Sequence, residues 1–73
     1  MKLDNRVREL RARFRMSQTD LAEAIDVSRQ TISLIERGDY SPSVVLALKL
    51  AKLFKEPVEF IFILDDENEG ELQ

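Results

Sequence analysis

The stretch SQTDLAEAIDVSRQTISLIERG, Ser17 to Gly38, decides the fold because it contains two helix starts and a stop. Ser17 is followed three residues later by Asp20, the pattern of a capping box, ahead of apolar Leu21, Ala22 and Ile25. Asp26 and Val27 break the periodicity. Ser28 restarts it with Ile32 and Ile35 on an inward face, and Gly38 stands where a helix end favours a left-handed residue. Two helices of about eight residues are not stable alone in water, so this unit must dock on other elements.

Those elements lie on both sides. Upstream, Leu3, Val7, Leu10 and Phe14 recur at steps of three and four, which predicts a helix face over Leu3–Phe14. Arg6, Arg8, Arg11, Arg13 and Arg15 surround that stripe, either as a solvated face or as partners for phosphate. Downstream, Asp39–Ser41 reads as loop, and Pro42 suits the first turn of a fourth helix capped by Ser41. That helix is apolar over more than one face (Val44, Val45, Leu46, Leu48, Leu50, Ala51, Leu53, Phe54), so it is central to a bundle or shared between core and interface. Beyond Pro57 the run Val58–Leu64 cannot be typed as strand or helix by periodicity. The reading adopted is one helical turn over Val58–Phe60 and a short extended Phe62–Leu64.

Length and composition narrow the class. The chain has 73 residues, no Cys and no His, so disulfides and Cys/His metal sites are excluded. A domain this small buries only about 60% of its unfolded surface, and oligomerisation is one of the few remaining ways to stabilise it. Met1–Leu10 carries basic residues without an apolar core of its own, and the longest apolar run, Phe60–Leu64, is far short of the ~20 residues a membrane span needs. A cytoplasmic protein with no membrane partner is expected. The net charge of −3 is unevenly placed: Asp65–Gln73 holds five acids and no base, which leaves +2 on the rest. The expected organisation is therefore a domain over 1–64 and an acidic tail over 65–73, too polar to order itself.

The outward residues of the helix Ser28–Arg37 suit DNA chemically. An α-helix fits the major groove and contacts base edges from its N-terminal end. Arg29 can donate two hydrogen bonds to guanine, Gln30 can pair with adenine, and Ser33 can donate or accept one turn later. Leu34 has two readings, core or contact with a thymine methyl. Gln18 and Ser28, at two helix N-termini, are placed to meet phosphates. No group has the surroundings of a catalytic acid, and no Ser or Tyr has a neighbouring His base. Neither an enzyme nor a cofactor is expected.

The ordered set Leu10-Arg11, Ser17-Gln18, Leu21-Ala22, Val27-Ser28-Arg29-Gln30-Thr31-Ile32-Ser33, Ile35-Glu36, Gly38 and Tyr40-Ser41-Pro42-Ser43 resembles the lambda-repressor/Cro-like, or Xre-type, helix-turn-helix regulators, over about Asn5–Leu64. The resemblance implies an all-α, five-helix DNA-binding domain of the short stand-alone kind, in some members with a small two-stranded pairing of the N- and C-terminal segments. It implies base contacts from Arg29, Gln30, Ser33 and Leu34, phosphate contacts from Gln18, Ser28, Thr31 and Arg37, with Gln18 also bracing the start of the recognition helix, and a structural ion pair between Arg11 and Glu36. It implies a homodimer joined through Val58, Phe60, Ile61, Phe62, Ile63 and Leu64. Such a dimer would bind double-stranded DNA at a near-palindromic operator, as a repressor by default. Two positions depart from the family. Asp26 stands where Gly is usual, though Asp tolerates the left-handed conformation better than most residues. Leu34 stands where a polar residue is common. The acidic tail motivates a second reading, a protein-binding module such as the antitoxin subunit of a toxin–antitoxin pair, with the tail meeting a protein partner.

Overall fold

The computed structural model describes residues 2–65. In chain order it contains β1 (Lys2–Asn5), α1 (Val7–Arg13), α2 (Gln18–Ala24), α3 (Arg29–Arg37), α4 (Val44–Phe54), α5 (Val58–Ile61) and β2 (Phe62–Asp65). The five helices are those the sequence predicts. The acidic segment expected as a tail lies outside the described residues, except that Asp65 closes β2.

Local chemistry starts most of the helices. Ser17 accepts from the Asp20 N–H while the Asp20 carboxylate accepts from the Ser17 N–H, so the capping box is complete. Ser28 caps α3 through the Thr31 N–H at 3.1 Å. The fourth helix corrects the expected start. Ser43, not Ser41, is its cap, accepting from the Leu46 N–H at 3.1 Å, and Pro42 lies outside the helix. Ser43 has the extended backbone that an N-cap needs, with ψ 164°.

The first helix is also corrected. Leu3, expected on its apolar face, belongs to β1, and α1 begins at Val7. Asn5 sets this boundary. Its Oδ1 accepts from the Val7 N–H at 3.0 Å, and its Nδ2 donates to the Ile35 carbonyl at 2.8 Å, which ties the start of α1 to α3. β1 pairs antiparallel with β2, with Leu3 opposite Leu64 and Asn5 opposite Phe62. A two-stranded ribbon is marginal by itself. Here it is anchored where the Arg6 N–H bonds the Ile61 carbonyl at 2.8 Å and the Arg6 guanidinium lies 4.8 Å from the Phe60 ring centre.

The core is the inward side of every helix: Val7 and Leu10, Leu21 and Ala22, Ile32 and Ile35, Leu46, Leu50 and Phe54, and Ile61, with Ile25 between α2 and α3. Phe14, expected inward, is 44% exposed, with its ring 5.7 Å from that of Phe54. Among the described residues no helix is long and apolar enough to cross a membrane.

Four helices close on a left-handed residue: Arg15, Asp26, Gly38 and Lys55, with φ of 57°, 61°, 81° and 59°. In each case the next N–H reaches back to a carbonyl in the last turn, as Val27 does to Ala22 at 2.9 Å and Glu56 to Ala51 at 3.1 Å. Asp26 thus takes the conformation expected of it at the turn. A side chain in this region costs about 1–2 kcal/mol, whereas Gly costs about 0.5–1 kcal/mol in unfolded-state entropy. Lys55 is exposed and has no ion-pair partner to lose among the contacts described. Lys55→Gly is therefore expected to stabilise the fold by roughly 0.5–1 kcal/mol, read as a higher urea midpoint at unchanged slope.

Candidate nucleic-acid interface

α2 and α3 are joined by the tight turn Ile25–Ser28 and held together by the apolar residues on their facing sides. Because Ile32 and Ile35 point into the core, helical spacing places Arg29, Ser33 and Arg37 on the outward side, with Gln30 and Leu34 beside them. Arg29, Gln30 and Arg37 are exposed, and Ser33 and Leu34 are half-buried. Leu34 is not among the residues packed into the core cluster, so it lies at the edge of the outward surface. Five of the six residues assigned to base or backbone contact on α3, all but the half-buried Thr31, thus share one side of the helix.

The N-terminal end of α3 is held by a chain of polar contacts. Arg29 Nη1 donates to Gln18 Oε1 at 3.0 Å, and Gln18 Nε2 donates to Glu36 Oε1 at 3.0 Å. Arg11 Nε donates to Glu36 Oε2 at 2.7 Å and Arg11 Nη1 to the Met16 carbonyl at 2.9 Å. Arg8 Nε lies 3.6 Å from Glu36 Oε1. The Glu36 side chain has no exposed surface, while that of Arg8 is 72% exposed. Burial by itself pushes the Glu36 carboxyl up, but the hydrogen bonds from Arg11 and Gln18 and the charges of Arg11 and Arg8 outweigh it, holding the group below the usual carboxylate range. Arg11 and Glu36 are therefore a paired buried charge joining α1 to α3, with Gln18 as a third partner.

The remaining phosphate candidates are engaged locally. The Ser28 hydroxyl serves as the α3 cap and lies 2.9 Å from the Thr31 hydroxyl. Arg37 faces Asp39 at 3.4 Å, an exposed pair of the kind that contributes little and yields readily to another partner. The arginines around α1 are largely structural: Arg6 donates to the Phe60 carbonyl at 3.1 Å, and Arg13 pairs with Glu9 at 3.7 Å and Glu56 at 3.4 Å.

The C-terminal run divides. Ile61, expected at the dimer interface, is fully buried in the protomer's own core and cannot meet a second copy. It is the last residue of α5 and belongs to the core cluster. Phe60 and Phe62 are half-buried and packed on that core; Val58 and Ile63 are half-buried, and Leu64 is 63% exposed. α4 adds a second exposed apolar group, Val44, Val45 and Leu48, on the side away from Leu46 and Leu50. The breadth of its apolar face was the sequence signal for this, but which residues faced outward depended on packing.

A family model described as helix-turn-helix, HTH_3, matches residues 7–61. The chain is 52% identical over 66 residues to the HTH-type transcriptional regulator YgzD of Bacillus subtilis, covering 90% of this chain and all of that one. It is 46% identical over 65 residues to the HTH-type transcriptional regulator MJ0272 of Methanocaldococcus jannaschii, covering 89% and 98%. Among solved structures it is similar to the restriction-modification controller protein C.AhdI of Aeromonas hydrophila, at a TM-score of 0.68 and 35% identity over 74% of this chain and 82% of that one.

Proposed function

Because the chain belongs to the HTH_3 helix-turn-helix family, whose members are DNA-binding transcriptional regulators and not enzymes, we propose that it is a homodimeric repressor reading a near-palindromic operator. The observation that carries this reading is the outward side of α3, where Arg29, Gln30, Ser33 and Leu34 are collected with Arg37 one turn on. Arg29 and Gln30 lie at the N-terminal end of α3, the end that approaches base edges in this geometry. Gln18, Ser28, Thr31 and Arg37 flank them as phosphate contacts. In the dimer two copies of α3 enter successive major grooves about 34 Å apart, and the bound protein blocks polymerase. The apolar surface left at the α5–β2 end, exposed Leu64 and half-buried Val58, Phe60, Phe62 and Ile63, supports a contact between copies there.

Binding to a labelled fragment from the protein's own upstream region, against a scrambled fragment and across a salt series, tests the proposal. The native fragment is expected to bind about 10³-fold tighter or more, with affinity falling steeply as salt rises. Equal binding of both fragments, followed by failure to enrich any genomic fragment, would overturn it. Sedimentation of the free chain at two concentrations tests the dimer separately.

A further inference from the structure

We infer that buried Glu36 sets the position of Arg29 through the amide of Gln18, and so acts as a positioning residue for base reading. The inference rests on the base-reading role proposed for Arg29. Gln18 sits between a group that can only accept and a group that can only donate. Its Nε2 faces Glu36 Oε1 at 3.0 Å, and its Oε1 faces Arg29 Nη1 at 3.0 Å. A carboxylate has no proton to give and a guanidinium has no lone pair to offer. The amide between them therefore fits in one orientation, with its oxygen turned to Arg29.

The other end of the chain is equally fixed. Arg11 binds both Glu36 oxygens, at 2.7 and 3.4 Å, and its Nη1 is held by the Met16 carbonyl at 2.9 Å. The relay thus begins on α1, passes through the buried carboxylate on α3, crosses to α2 and returns to the exposed end of α3. Arg29 carries five N–H groups, so one given to Gln18 leaves enough for a two-point contact with guanine. A side chain ordered before binding loses less rotamer freedom on docking, and its geometry discriminates more sharply between base pairs.

Substitution at position 36 separates this role from a merely structural one. In E36Q the new carboxamide gives its oxygen to Arg11, so its NH2 group faces Gln18. The Gln18 amide then turns over and sets its own NH2 against Arg29, donor against donor, and Arg29 is released. In the double variant Q18E/E36Q the carboxylate and amide exchange places. The carboxylate at position 18 accepts from Arg29 and from the carboxamide at 36, whose oxygen still accepts from Arg11. The longer Arg11 contact at 3.4 Å is lost in both variants, but along the line from Arg11 Nε through positions 36 and 18 to Arg29 every donor again meets an acceptor.

The first readout needs no DNA. Nitrogen-15 relaxation of the Arg29 guanidinium in the free chain should show an ordered group in the wild type, a mobile one in E36Q, and an ordered one again in Q18E/E36Q. The second uses the duplex enriched by the wild-type chain from a randomised double-stranded library. Discrimination at one base pair should fall about tenfold in E36Q and recover in the double variant. Overall affinity stays lower in the double variant, because a carboxylate at position 18 repels phosphate. A lowered Tm with Arg29 as ordered as before, or no recovery in the double variant, overturns the inference. If the wild-type chain enriches no duplex, the base-reading proposal fails, while the order of Arg29 still decides whether the relay exists. Should E36Q not fold, Q18A and the double variant decide it: Arg29 free in the first and held in the second.

Discussion

Arg11→Ala is expected to cost about 3–5 kcal/mol of folding free energy, a large fraction of the stability of a small domain. The Glu36 side chain is wholly buried, and Arg11 gives it its shortest hydrogen bond. Without that guanidinium the carboxylate keeps Gln18 and the distant, exposed Arg8, which are too little to replace water. Replacing both members by apolar residues, as in Arg11→Met with Glu36→Met, should recover most of the loss, because no charge is then stranded. Urea unfolding of the three chains at pH 7 measures this. Equal stability of Arg11→Ala and wild type would show that Glu36 does not depend on its partner.

Acid should narrow the difference. The Glu36 carboxyl in the folded chain is held below its ordinary range, so its stabilising contribution is fully present above the unfolded value near pH 4.5. It is lost as pH falls through the lower, folded value. In Arg11→Ala the cost of burial acts with less compensation, so protonation relieves the variant and weakens the wild type. Asp20 acts in the wild-type direction too, since the hydrogen bonds from Ser17 hold its carboxyl below the ordinary range.

The second large effect falls on recognition. Arg29→Ala with Gln30→Ala should erase preference for the operator by about 10²-fold or more, since each two-point base contact supplies about 1–3 kcal/mol of discrimination. Both side chains are exposed, so the fold and the salt-dependent affinity for unrelated DNA should persist. Arg37→Ala should behave differently, weakening all duplexes alike and lowering the salt slope by about one. Competition binding with the selected and a scrambled duplex distinguishes them. Preference retained after loss of both Arg29 and Gln30 would remove α3 from the reading surface.

Much of the interface was legible because its signals are local. Ser17, Asp20 and Ser28 cap helices with groups three residues away, and Gly38 ends one by its own conformational freedom. Ile32 and Ile35 fix the inward side of α3 by spacing, which places Arg29, Gln30, Ser33 and Arg37 outward without reference to any other element. The pairing of Arg11 with Glu36 and a bracing of the start of α3 by Gln18 were implied by family resemblance, whereas the contact of Gln18 with Glu36 was not read. Nothing in the spacing of Gln18 says which of several neighbours its amide will meet.

What the sequence determined by itself, then, is the order and type of the five helices and the side of α3 turned to solvent, because caps and periodicity act within a few residues. The tertiary structure decided the rest. Leu3 has the spacing of a helix residue, yet it is drawn into β1 by Leu64, which lies at the far end of the chain. Ile61 was one apolar residue in a run until packing placed it in the core and left Leu64 outside. Val44, Val45 and Leu48 became surface when Leu46, Leu50 and Phe54 claimed the core side of α4. Burial and strand pairing depend on which distant groups the fold brings within contact, and a local pattern does not contain that choice.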